Sequence, residues 1–219
     1  MFINIHTHNP EHTANVIEIV QHSFPSTMQP SVLHSIGVHP WDSEHLTPET
    51  CVDFLQNAVQ NTKARFIGEC GLDRAFALPI HVQMPAFEAS MHFAQNNNYP
   101  LIIHCVRAYS DMLHLFKKHH ITVPIIFHDF RGNSFQLQEL SAFQSFFSFG
   151  TSLFTSQKVQ NVFREIPLSR IFLETDTANI SIHAMYQQAA HIKNISIEML
   201  KKQLVANFES CISNKTTRK

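Results

Sequence analysis

Short apolar runs recur along this chain of 219 residues, and amphipathic stretches separate the later ones. The runs predict strands over 2–6, 15–21, 32–38, 65–69, 100–104, 123–128, 146–150 and 170–175. Leu101-Ile102-Ile103 and Ile125-Ile126-Phe127 are apolar throughout, the pattern of parallel strands buried on both faces. Helical spacing predicts helices over 48–59, 81–95, 109–118, 134–142, 156–165 and 197–212. Thr47 stands as N-cap to the first, with Pro48 at its first helical position. Ser196 caps the last, which gathers Met199, Leu200, Leu204, Val205 and Phe208 on one face.

Strand-then-helix alternation with eight strands predicts an α/β fold, a TIM-type (β/α)8 barrel. A parallel crossover needs about a dozen residues. The connections 8–14 and 22–31 are short and rich in proline and polar residues, so the barrel is expected to be abbreviated, with its early helices reduced or missing. Residues 1–212 are read as one barrel and 213–219 as a polar tail.

Composition narrows the function. With 16 Lys+Arg against 17 Asp+Glu, net charge is −1, so any contact with nucleic acid must be local. The four cysteines (Cys51, Cys70, Cys105, Cys211) make no CxxC pair and no disulfide framework. Neither a signal peptide nor a membrane span is expected, and the predicted location is a reducing cytoplasm. All five glycines (Gly37, Gly68, Gly71, Gly132, Gly150) fall at or just beyond predicted strand ends. In a barrel those junctions form the catalytic face.

The same strand ends carry metal-ligand chemistry. His6 and His8 form a His-x-His pair, and residues i and i+2 of a strand share a face. Glu69 follows Ile67-Gly68, His104 follows Ile102-Ile103, His128 follows Ile126-Phe127, and Asp176 follows Glu174-Thr175. Four imidazoles and two carboxylates suit two divalent ions about 3.5–4 Å apart with Glu69 between them. Mixed nitrogen and oxygen ligation leans toward zinc, manganese, iron or cobalt; zinc, magnesium and manganese all stay open. Asp176 is the candidate to take the proton of a nucleophilic water, so Asp176 and Glu69 are the catalytic candidates. Arg74, Arg107 and Arg131 each follow one of these motifs by a few residues and are candidate phosphate ligands. Trp41 and the loop around Phe76 are candidates for base stacking.

Three segments, Gly37-Val38-His39-Pro40-Trp41-Asp42, Gly68-Glu69-Cys70-Gly71-Leu72-Asp73 and Leu173-Glu174-Thr175-Asp176, make the chain resemble the TatD-type metal-dependent DNases of the amidohydrolase-like superfamily. That resemblance implies one ion held by His6, His8, Glu69 and Asp176, a second by Glu69, His104 and His128, and His39 facing the substrate phosphate. It implies a metal-dependent hydrolase acting on DNA or another phosphoester, at a 3′ or single-stranded end; the oligomeric state is not read from the sequence, with a monomer favoured. A hydrolase of a small ester, lactone or amide on the same scaffold is the alternative. The chain departs from the family pattern in placing Arg107 one residue later than usual after His104, and in reading His128-Asp129-Phe130-Arg131-Gly132 after strand six.

Overall fold

The computed structural model describes residues 1–25 and 33–213. Eight strands lie in chain order in one parallel sheet: β1 (Phe2–Thr7), β2 (Val16–Ser23), β3 (His34–Gly37), β4 (Ala64–Asp73), β5 (Leu101–Val106), β6 (Ile125–Phe127), β7 (Ser145–Phe149) and β8 (Ile171–Leu173). The helices are α1 (Pro48–Asn61), α2 (Ile80–Asn97), α3 (Tyr109–Lys118), α4 (Ser134–Leu140), α5 (Ser152–Thr155), α6 (Gln157–Glu165), α7 (Ile182–Lys193) and α8 (Ile197–Ile212).

The first short connection holds no helix, as its length predicts. β1 leads into β2 without a helix, and the first α-helix among the described residues follows β3. Between β2 and β3, residues 26–32 lie outside the described set, as do the expected strand start at Val32 and tail residues 214–219. α1 begins as its sequence dictates: the Thr47 hydroxyl accepts the Thr50 N–H, and Thr50 reciprocates toward the Thr47 backbone.

Several elements depart from the sequence-based expectation: α5 was not expected, and β6 and β8 are shorter than the runs that predict them. β4 continues four residues past Glu69, to Asp73. α7 was not expected, yet it buries Ile182, Met185, Tyr186, Ala189 and Ala190 at helical spacing. The core lies in and around the barrel wall, where Ile3, Ile5, Ile36, Phe66, Ile103, Phe127, Phe147 and Phe172 are all buried.

The sheet closes on itself through one bridge among the described residues. Thr7 and Asp176 form a parallel bridge, in which the His8 N–H donates to the Asp176 carbonyl (2.9 Å) and the Asp176 N–H to the His6 carbonyl (3.1 Å). Beneath it a buried side-chain network ties the seam: Asn4 Nδ2 donates to Thr175 Oγ1 (2.9 Å), which donates to Thr7 Oγ1 (3.0 Å). Lower still, the Tyr186 hydroxyl of α7 accepts the Ile3 N–H (2.9 Å) and donates to the Ile3 carbonyl (3.2 Å). A helix side chain there serves the main chain of β1, because buried backbone groups must find partners.

Candidate metal centre

Each ligand candidate reaches the C-terminal rim by a separate route. His6 and His8 close β1, Glu69 lies within β4, His104 within β5, His128 follows β6 by one residue, and Asp176 follows β8 by three. The seam bonds of Asp176 set its carboxylate beside β1, with Oδ1 3.5 Å from His6 Nε2 and 3.6 Å from His8 Nε2.

Glu69 is placed by a shift in strand register between Ile67 and Cys70. Its N–H donates to Gln21 Oε1 (2.7 Å), an oxygen that also accepts the Ser35 hydroxyl (2.6 Å). Flanking glycines let β4 and β5 approach: Gly68 (φ 144°) and Gly71 (φ 154°) hold backbone conformations that L side chains rarely adopt. A Cβ at Gly68 would run into the Ile102 carbonyl, and one at Gly71 into the His104 carbonyl.

The two oxygens of Glu69 face different histidines. Oε2 lies 3.4 Å from His6 Nε2 and 3.9 Å from His8 Nε2. Oε1 lies 2.7 Å from both His104 Nδ1 and His128 Nε2, and 3.3 Å from His39 Nε2. All six ligand candidates are therefore brought together, with His39 beside them.

Two carboxylates not singled out from the sequence back the histidines. Asp73 Oδ2 stands 3.3 Å from His104 Nε2 and accepts the Trp41 indole N–H at 2.9 Å. Glu174 Oε1 stands 3.4 Å from His128 Nδ1 and accepts the Asp129 N–H at 2.8 Å. In both histidines one nitrogen looks toward Glu69 and the other toward a supporting carboxylate, the arrangement that orients imidazole ligands.

The charges of the cluster shift one another's protonation. Burial lowers the His6 pKa and His128 lowers it further, but the carboxylates of Asp176 and Glu69 outweigh both and lift it to about 9. His128 is also raised, because Glu69 and Glu174 overcome its burial. Burial pushes the Glu69 carboxyl up, yet His128, His104 and His39 hold it well below the usual carboxylate range. The neighbouring thiols of Cys70 and Cys105 are pushed up by burial and stay protonated.

The residues fit metal ions. His6 is fully buried, and its Nδ1 has no hydrogen-bond partner; Glu174 Oε2 is in the same position, while His6 Nε2 meets the Glu69 and Asp176 carboxylates only at 3.4 and 3.5 Å. Such orphaned groups are costly unless something satisfies them. Ligand atoms of His6, Glu69 and His128, of His6, His8 and Asp176, and of His39, Glu69 and His104 each gather within 4.8 Å of one another. His39 differs from the rest: its Nδ1 accepts the Trp41 N–H at 3.3 Å, which leaves the ring proton on Nε2. In that tautomer His39 donates a hydrogen bond from the face it turns to the site.

The arginines separate. Arg74 is committed to Asp111 through two bonds of 2.8 and 2.7 Å and lines neither cavity beside the cluster. Arg131 lines one of those cavities and is held by Asp129 at 2.8 Å. Arg107 lines the same cavity.

A parallel eight-stranded barrel with imidazoles and carboxylates converging at the C-terminal rim defines a metal-dependent hydrolase scaffold. Residues 1–213 match the family model of TatD related DNase, and the chain belongs to that family. It is 29% identical to the uncharacterized metal-dependent hydrolase YabD of Bacillus subtilis over 68% of this chain and 60% of the relative. It is 30% identical to the 3'-5' ssDNA/RNA exonuclease TatD of Klebsiella pneumoniae over 64% of this chain and 55% of the relative. The matched stretches thus span less than two thirds of those relatives' own lengths. The crystal structure of YJJV, a TatD homolog from Escherichia coli K12, shares the fold, with a TM-score of 0.80 at 19% identity over 97% of this chain and 98% of that one.

Proposed function

We propose that the protein is a divalent-metal-dependent phosphodiesterase that trims the 3′ ends of single-stranded DNA. The observation that carries this reading is the split allegiance of Glu69: Oε2 faces His6 and His8, while Oε1 faces His104 and His128. One carboxylate shared in this way suits two ions, the first held by His6, His8, Glu69 and Asp176 and the second by Glu69, His104 and His128. When bound, such ions polarise a phosphoryl oxygen and acidify a water.

The side chains supply the rest. Asp176 is the base: His6 keeps its carboxyl below the usual range against the effect of burial, so it is ionised at neutral pH and ready to accept a proton at Oδ2 or Oδ1. His39 donates its Nε2 proton in a hydrogen bond to the substrate phosphate. Asp73 and Glu174 keep His104 and His128 in one orientation. Cations along the neighbouring cavity favour a phosphate substrate over a neutral ester or lactone. The relative named as a ssDNA/RNA exonuclease supports single-stranded ends as the target. No helix among the described residues is long and apolar enough to cross a membrane.

The test is a panel of single-stranded DNA, duplex DNA, nucleotides and neutral aryl esters, each assayed with zinc, manganese or magnesium. Release of mononucleotides from single-stranded ends is expected. Turnover of aryl esters alone would move the assignment to small-molecule hydrolysis.

A further inference from the structure

Two cavities flank the ligand cluster and meet at His104 and His128, which line both. They differ in their cations. The smaller, about 370 Å³, is bounded by Ser23, His39, Trp41, Asp42, Asp176 and Thr177, with no lysine or arginine in its described lining. The larger, about 520 Å³, is bounded by Arg107, Tyr109, Asp129, Arg131, Gln136 and Lys158; Arg131 holds its one carboxylate, Asp129, at 2.8 Å, which leaves Arg107 and Lys158 as the cations in excess. Lys158 is an exposed residue of α6, an element that contributes none of the ligand candidates. Arg107 and Lys158 form no ion pair among the described residues, whereas Arg131 is bonded to Asp129.

A strand trimmed at its end is electrically lopsided about the bond that is cut. On the terminal side lies one nucleoside ending in a hydroxyl. On the other side the chain continues, with a negative charge for every nucleotide. Cations belong on the continuing side, where they neutralise phosphates. Carboxylates not matched by a lysine or arginine belong on the terminal side, and they repel any phosphate placed there. The smaller cavity also has an aromatic wall. Trp41 is half exposed, is backed by Phe76 (ring centroids 4.8 Å apart, planes 17° apart), and is pinned by its indole N–H to Asp73. Aromatic faces hold bases without regard to sequence.

We infer that the two cavities divide the substrate: the terminal nucleoside, with its free hydroxyl, sits against Trp41, and the continuing strand runs past Arg107 and Lys158. The scissile phosphate then lies over His104 and His128. This placement rests on the nuclease reading of the site. In the step it implies, the oxygen of water joins phosphorus and the bond from phosphorus to the 3′-oxygen of the preceding nucleotide breaks. One water proton passes to Asp176, and the departing 3′-oxygen takes a proton from solvent. The terminal nucleotide leaves as its 5′-monophosphate.

Oligothymidylates of two, three and four nucleotides, hydrolysed by the manganese-loaded protein, test this placement. Wild-type KM is expected to fall as the strand lengthens, because each added nucleotide brings a phosphate to the basic cavity. In Arg107→Gln and Lys158→Gln that length dependence should flatten, with KM for the tetranucleotide rising roughly tenfold per cation. The salt dependence of log KM should weaken by about 0.7 per cation removed. A 3′-terminal phosphate, set beside Asp42 and Asp176, should slow the wild-type protein. Lys158 lies on an exposed helix face, so its variant stands as a test even if the Arg107 variant folds poorly. Hydrolysis whose length and salt dependence survive both substitutions overturns the division of the substrate and leaves the nuclease reading standing. Failure of the wild type to cut any member of the series overturns that reading, and this inference with it.

Discussion

Replacing Asp73 with Asn removes a charge from behind His104 while keeping its shape. Asp73 is buried and uses both oxygens: Oδ1 accepts the N–H groups of Ala75 (2.7 Å) and Phe76 (3.2 Å), and Oδ2 faces the Trp41 indole N–H (2.9 Å) and His104 Nε2 (3.3 Å). An asparagine that preserves the Oδ1 bonds turns its NH2 toward two ring nitrogens that need an acceptor. Flipping the amide only moves the conflict to the two backbone donors. A lost hydrogen bond to a charged group costs about 1.5–3 kcal/mol. Partners behind metal ligands change ion affinity by about 10–100-fold when removed, which is the same range expressed as binding. D73N should therefore bind manganese or zinc at the His104 side about 10–100-fold more weakly in calorimetric titration. Trp41 is the single tryptophan of the chain, so its emission reports directly on the broken bond. A D73N protein whose emission shifts while its ion affinity stays at the wild-type level would refute a supporting role for Asp73 behind His104.

Glu69→Gln should weaken both ion sites together in the same titration; loss of one ion alone would argue against sharing. Asp176→Asn should keep the fold by circular dichroism but lose most hydrolysis, about 10²–10⁴-fold, since the amide accepts no proton and binds ions weakly; wild-type turnover with metal supplied would remove Asp176 from the chemistry. In the metal-free protein His6 is raised from 6.5 to about 9, so its contribution to stability is complete below pH 6.5 and disappears as pH climbs through 9. Urea unfolding midpoints should fall across that window, at a slope of up to about 1.4 kcal/mol per pH unit; a profile flat from pH 6.5 to 9 would mean that His6 is not protonated in the cluster.

The parts of the site readable from sequence are those fixed by backbone periodicity. His6 and His8 share a strand face, and His104 and His128 end continuous apolar runs, so strand geometry alone carries them to the rim. Arg74 shows the limit of that reasoning. Spacing places its backbone beside the site, but its side chain swings away to Asp111 of α3, a pairing no local pattern encodes. Asp73 and Glu174 stood in plain view within the motifs, yet a carboxylate next to a ligand acquires its role only when another strand's histidine arrives. Lys158 carries no sequence signal, since an exposed lysine on a polar helix face looks like any other. The missed helix α7 was legible in principle, because Ile182, Met185, Tyr186 and Ala189 keep helical spacing after a Ser181 cap. Histidines and glutamines between them masked the period. The first short connection needed only its length to be read, because too few residues cannot make a crossover helix.

The seam between β1 and β8 has a kinetic consequence. Its two backbone bonds belong to the residues that would hold an ion: His6 and His8 on one side, Asp176 on the other. When those bonds open, the first strand's histidines part from the aspartate, so a trapped ion escapes through the same fluctuation that unzips the barrel. Amide protons of His8 and Asp176 should exchange with solvent at a rate that tracks ion loss into excess chelator. Ions that span the seam would act as rivets, and the loaded protein should protect those two amides far more than the empty one.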